Sequence, residues 1–116
     1  MKVFQLADEL TAKVYEETKG FPREELFGLT SQARRAAVSV AANIVEGCSR
    51  PSEADFLRFL ILAKGSLQEV GYYLHLSRRL GYLSEDKFGL LNGQHDECAR
   101  RLQAFINTIE RGVGRR

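Results

Sequence analysis

His95 and Cys98 stand three positions apart in the C-terminal part of this chain, and a second histidine, His75, precedes them. On a helix that spacing sets both side chains on one face, where they could share a metal ion. A zinc centre takes at least three protein ligands, and no third ligand accompanies them. A di-iron bundle would need Glu-x-x-His pairs facing inward. Here Glu69 is followed three positions later by Tyr72, and no glutamate stands three before His95. Gly93-Gln94-His95-Asp96 has no nucleophile in its own helical neighbourhood except Cys98. No GxSxG, Walker-type loop, HExxH or GxGxxG occurs. His75, His95 and Cys98 are therefore expected in core or boundary positions. The sequence offers no catalytic residue, no metal or cofactor site and no small-molecule substrate.

The other chemistry on offer is that of arginine. Of 17 basic residues 12 are arginine, and eight of these stand in pairs: Arg34-Arg35, Arg78-Arg79, Arg100-Arg101 and Arg115-Arg116. The guanidinium presents a rigid fork of donors that matches phosphate and carboxylate. The charge is also uneven along the chain. Residues 1–30 carry four basic and six acidic groups, whereas residues 31–116 carry 13 basic and nine acidic. Two roles compete for these arginines: solvated faces interleaved with Asp and Glu, or a surface for a polyanion. The residues that would form the latter are Arg34, Arg35, Arg50, Arg58, Arg78, Arg79, Arg100 and Arg101.

These side chains must be carried on helices. A first apolar period, Val3, Leu6, Ala7, Leu10 and Val14, predicts a helix over 3–19 with Gly20 as its C-cap, and Phe21-Pro22 stops it. Pro22 through Phe27 suits a single helical turn with proline first. The next helix is expected over 31–47, opened by a Thr30/Ser31 cap and closed by Gly47. Its only charges are Arg34, Arg35 and Glu46. Ser52-Glu53-Ala54-Asp55 resembles a capping box for a third helix running to Gly81, with a stripe of Phe56, Phe59, Leu60, Ala63, Leu67, Val70 and Leu74. Ser84 caps a fourth helix, in which Leu83 staples onto Phe88 and the apolar period runs through Leu91, His95, Cys98, Leu102, Phe105, Ile106 and Ile109 to Gly112. No segment alternates with period two. The expected fold is all-α, an antiparallel up-down-up-down four-helix bundle formed by residues 1–116 as one domain.

The second helix also bears on assembly. A helix this apolar around its circumference is normally enclosed on more than one side, and a chain of 116 residues has little material to enclose it. A second copy is expected to cover part of it. Asn43 shares a face with Ala36, Val40 and Gly47, and is expected as a buried polar pin that fixes helix register. With Glu46 and Glu69 it would form a structural polar network. The alanine face of the second helix is expected against the Gly65-Ser66 side of the third, with Arg34 or Arg35 meeting Glu69 across that contact. No apolar run approaches a membrane span and no leader-like segment follows Met1-Lys2. Cys48 and Cys98 form no CxxC or disulfide framework, so a reducing cytoplasm is the expected setting.

The chain also resembles a bacterial four-helix bundle family, the proteins encoded in intervening sequences of large-subunit ribosomal RNA genes. The residues that carry the likeness are Phe21-Pro22, Glu25, Phe27-Gly28-Leu29-Thr30-Ser31-Gln32, Arg34-Arg35-Ala36-Ala37-Val38-Ser39-Val40, Ala42-Asn43-Ile44 and Glu46-Gly47. It continues through Arg50, Ser52, Asp55-Phe56, Phe59-Leu60, Ala63, Gly65-Ser66-Leu67 and Glu69, in register over about 4–83. The resemblance implies a compact bundle that assembles as a ring, commonly a pentamer. Distant relatives are accessory proteins of diversity-generating retroelements, in which a basic pentameric barrel is associated with nucleic acid. The expected function is thus a non-enzymatic homo-oligomeric scaffold, binding structured RNA or DNA through an arginine-rich face of a ring. The alternative is a protein–protein interaction module without nucleic-acid contact.

Overall fold

The computed structural model describes residues 1–114; the Arg115-Arg116 pair lies outside the described residues. Four helices follow one another: α1 (Lys2–Thr18), α2 (Leu29–Cys48), α3 (Glu53–Arg79) and α4 (Glu85–Gly114), with one 3-10 turn, Arg23–Glu25, before α2. Among the described residues the helices meet as α1–α2, α2–α3, α3–α4 and α1–α4 with no diagonal pair, which with the short connections makes an antiparallel four-helix bundle about 50 Å long. No strand occurs among the described residues, and no helix among them is long and apolar enough to cross a membrane.

Each helix buries the stripe that its period requires. Leu6, Leu10 and Val14 of α1, Ala33, Ala37, Val40 and Ile44 of α2, Leu60, Ala63, Leu67, Val70 and Leu74 of α3, and Leu91, Cys98, Leu102 and Ile106 of α4 meet in a single core. Phe56 and Phe59 are only half buried; Phe56 closes one end by packing edge-on against Phe105, ring centroids 5.5 Å apart. Burying the leucine, isoleucine and valine side chains among them contributes roughly 1.5–3 kcal/mol each before conformational entropy is charged against it.

The helix ends differ in part from their predicted form. Ser52 caps α3 by accepting from the Asp55 amide at 3.1 Å, and Ser84 caps α4 by accepting from the Lys87 amide at 3.2 Å, as the sequence predicts. Thr30 and Ser31, by contrast, lie inside α2. Its N-cap is Gly28, and the Glu25 carboxylate, reaching forward from the 3-10 turn, accepts from the Leu29 amide at 3.1 Å. A Cβ on Gly28 would come within 2.7 Å of that carboxylate, so the glycine makes room for the substitute cap. The same carboxylate accepts from the Tyr82 hydroxyl at 2.9 Å, and this hydrogen bond, with partial burial and the Glu25 charge, raises the phenol above its ordinary pKa. At the other end Gly47 remains helical and Ser49 is the C-cap. The α1 C-cap is Lys19 rather than Gly20, and α4 continues past Gly112 to Gly114. Gly81, with φ of 79°, does perform the left-handed turn after α3, and lets the Tyr82 amide reach back to Ser77 O at 2.8 Å.

Gly47 serves packing. A Cβ there would meet Phe56 Cδ1 at 2.7 Å and Phe59 Cβ at 3.0 Å, so α2 and α3 approach closely at this point. Gly65, expected to play this part, is exposed with nothing near its Cβ position. The partner of α2 at mid-helix is Ser66, whose hydroxyl lies 2.9 Å from that of Ser39.

Candidate functional site

Arg34 turns back toward α1 and away from Glu69: its Nε donates to Thr18 Oγ1 at 2.9 Å and its guanidinium lies over the Tyr15 ring, 4.8 Å from the centroid. The helical phase explains this, since position 34 falls on the α1 side of α2 and position 35 on the α3 side. Arg35 accordingly lines the α2–α3 groove with Gln32, Ser39, Ser66, Glu69 and Tyr73. Among the described residues Glu69 is not ion-paired with an arginine; Tyr73 OH donates to Gln32 Oε1 at 3.1 Å and lies 3.5 Å from Glu69 Oε2. Partial burial first, and the Glu69 carboxylate second, raise the Tyr73 phenol above its usual pKa.

Arg50 and Arg58 both lie over the Phe59 ring, 4.7 and 5.1 Å from its centroid, at the end of the bundle where α2 passes into α3. Each also has a carboxylate partner, Glu46 for Arg50 and Asp55 for Arg58. Arg78, at the opposite end of α3, covers the Phe88 ring at 4.2 Å and stands 3.9 Å from Glu85; Arg79 beside it is exposed. Arg100 and Arg101 are exposed on α4, where Arg100 faces Lys64 across a groove floored by Leu67 and Leu102. The eight arginines are thus spread over both ends and several sides of one subunit.

The expected polar network separates into local pairs. Asn43 is half buried, and its amide donates within its own helix to Ser39 O at 2.8 Å and Ser39 Oγ at 3.0 Å. Helical phase is again the cause: position 43 lies at the edge of the α2–α3 seam, where an amide reaches its own preceding turn before it reaches α3. Glu46 pairs with Arg50, and Glu69 with Tyr73. The hydrogen bond that crosses the seam belongs to Ser39 and Ser66, so the expected contact of the second helix with the Gly65-Ser66 side of the third is made through the serine.

His95 is half buried, with Nε2 3.0 Å from Leu67 O and Nδ1 3.0 Å from Asp96 Oδ1. Gly71 leaves room for the ring, since a Cβ there would come within 2.8 Å of Nε2. Cys98 is fully buried in the core, and burial pushes its thiol up to about 11. His75 is exposed beside Tyr72. Among the described residues no three His, Cys, Asp or Glu side chains gather as a metal site would require.

A feature of a different kind lies on α2 and α3, the exposure of large apolar side chains. Val38 and Val45 on α2, and Ile61, Leu62 and Tyr72 on α3, are exposed, Ile61 by 50% and Leu62 by 51%. Phe27, just before α2, is 93% exposed. The signal in the sequence is the run Leu60-Ile61-Leu62: successive helical residues turn by about 100°, so a run of three cannot all face one core.

The chain matches the model of the 23S rRNA-intervening sequence protein family over residues 1–104. It is similar to a solved structure from Bacteroides thetaiotaomicron VPI-5482, a protein of unknown function from the S23 ribosomal protein family. The two are 25% identical with a TM-score of 0.80, and the match covers 90% of this chain and 97% of that one. No curated protein matches the chain.

Proposed function

We propose, proceeding from the fact that this chain belongs to the 23S rRNA-intervening sequence protein family, that it works as a non-enzymatic homo-oligomeric scaffold in the cytoplasm. The observation that carries this reading is the exposed apolar surface of α2 and α3, with Val38, Val45, Ile61, Leu62 and Tyr72 all open to water in a single subunit. Large apolar side chains exposed in this number mark an interaction surface, and a ring of copies, a pentamer by resemblance, would cover them. Assembly would also supply what one subunit lacks. Arginines spread over several sides of the monomer are brought together by rotation about a ring axis, and a net charge of +2 per chain becomes about +10 in five copies. We assign such a surface to structured RNA or DNA, with Arg34, Arg35, Arg79, Arg100 and Arg101 as those of the eight candidate arginines that have no carboxylate partner among the described residues.

A second reading, a protein–protein module without nucleic-acid contact, draws on Arg50, Arg58 and Arg78, each already facing a carboxylate and an aromatic ring of its own subunit. Two measurements decide. Light scattering at micromolar concentration reports the assembly: a monodisperse species of 13.1 kDa refutes the scaffold, and Ile61→Asp with Leu62→Asp should dissociate an oligomer without unfolding the subunit. Binding to structured RNA between ~50 and 200 mM salt should fall steeply if phosphates are engaged. No binding of RNA or duplex DNA at low salt leaves the second reading.

A further inference from the structure

We infer that the hollow between the end of α1 and the start of α2 is a binding site for a phosphomonoester, the dianionic group that ends a nucleic-acid strand or a free nucleotide. The hollow has a volume of about 330 Å3, and three cations line it: Lys19 after α1, Arg23 from the 3-10 turn, and Arg34 from α2. None of the three is ion-paired with a carboxylate among the described residues. No carboxylate lines the hollow either. Two neighbouring acids are committed elsewhere: Glu17 to Lys13 and Lys87, and Glu25 to the Leu29 amide and the Tyr82 hydroxyl. Three like charges around one depression repel one another, and an anion between them removes that repulsion.

Arg34 is already in position. Thr18 Oγ1 accepts from its Nε at 2.9 Å while donating to Val14 O at 2.7 Å, and the Tyr15 ring supports the guanidinium plane. A fork held in this way loses little rotamer freedom when a ligand arrives. The carbonyl end of α1, which an anion would otherwise avoid, is answered by the Thr18 hydroxyl and by the Phe21 amide on Thr18 O at 3.1 Å. Phe21, Pro22 and Leu26 form an apolar wall, against which a sugar or base attached to the phosphate can lie. The number of cations selects the end of a strand over its middle. A terminal phosphate carries roughly −1.5 to −2 at neutral pH, whereas an internal phosphodiester carries a single negative charge. The inference rests on the proposed nucleic-acid role only for the source of the phosphate.

The test compares one short single-stranded RNA bearing a 5′-phosphate with the same RNA bearing a 5′-hydroxyl, by fluorescence anisotropy, with AMP and inorganic phosphate as competitors. Tighter binding of the phosphorylated strand, by about tenfold for a gain of charged hydrogen bonds, is the expected result. The double variant Lys19→Gln with Arg23→Gln, both residues lying outside the apolar core, should remove that difference. Arg34→Lys, which keeps the charge and loses the fork, should reduce it. Displacement by AMP or phosphate with no preference between the strands supports the site, assigns it to free nucleotide, and sinks the RNA reading instead. Equal affinity for both strands with no displacement by AMP or phosphate overturns the inference and leaves the scaffold standing. An equal loss for both strands in the double variant also overturns it, because it reports general electrostatic attraction.

Discussion

Gly47→Ala ought to stabilise a helix and should instead destabilise this protein. An alanine for a glycine in a helix interior gains up to about 1 kcal/mol of intrinsic propensity, and less in the last turn, where Gly47 stands one residue before the end of α2. Against that gain stands the new methyl group, built 2.7 Å from Phe56 Cδ1 and 3.0 Å from Phe59 Cβ. The Phe59 atom is fixed to the α3 backbone, so relief there requires the two helices to separate. The Phe56 ring is confined by Phe105 at 5.5 Å. Overpacking of this kind costs about 1–3 kcal/mol, so a net loss of about 1–2 kcal/mol is expected, or a fall in Tm of roughly 4–10 °C for a domain of this size. Urea denaturation followed by circular dichroism should show a lower midpoint with an unchanged slope, measured at several protein concentrations because assembly makes stability concentration-dependent. On a Phe56→Leu background the penalty should shrink, with a coupling of about 1 kcal/mol. If Gly47→Ala alone raises the midpoint, the close approach of α2 and α3 is wrong.

Three further outcomes follow from the side-chain geometry. Asn43→Ala should cost under about 1 kcal/mol in thermal unfolding, because the amide is half buried and bonds only within its own helix; a loss of several kcal/mol would restore the buried-pin role. A thiol reagent should label exposed Cys48 quickly and Cys98 only on unfolding, since the Cys98 thiol is buried and pushed up to about 11; two equally fast thiols in native protein would contradict the core. For Glu17, partial burial pushes the carboxyl up, but the hydrogen bonds and charges of Lys87 at 3.2 Å and Lys13 at 3.4 Å outweigh it and hold the group below its ordinary value. Stability from this group is therefore present above the unfolded value of 4.5 and lost as pH falls below it. Glu17→Gln should lower stability at neutral pH by about 0.5–1 kcal/mol and flatten the acid limb of the stability–pH curve; an unchanged limb would assign the acid dependence to other carboxylates.

Local chemistry determined much of this molecule. Ser52 and Ser84 begin helices because a hydroxyl beside free amides has one good geometry, and that depends on three consecutive residues. The apolar stripes of α1 and α3 follow from the 3.6-residue period alone. The type and order of the elements, and their antiparallel packing, were therefore legible in the residues. The choice among equivalent local solutions was not. Thr30 and Ser31 could each have capped α2, yet Glu25 does so, because the turn before it brings a carboxylate back to the Leu29 amide. Gly47 and Gly65 were alike as small residues, and only the crossing of α2 over α3 selects Gly47 for contact and leaves Gly65 in water. Arg34 and Arg35 are neighbours in sequence whose side chains enter different grooves, one toward Tyr15 and the other toward the α2–α3 seam. The hollow shared by Lys19, Arg23 and Arg34 gathers residues that belong to no common period, because it exists only where the end of one helix meets the flank of another. A helix's period is a property of its own backbone. Which of its faces finds protein and which finds water is decided by the neighbours that the fold places beside it.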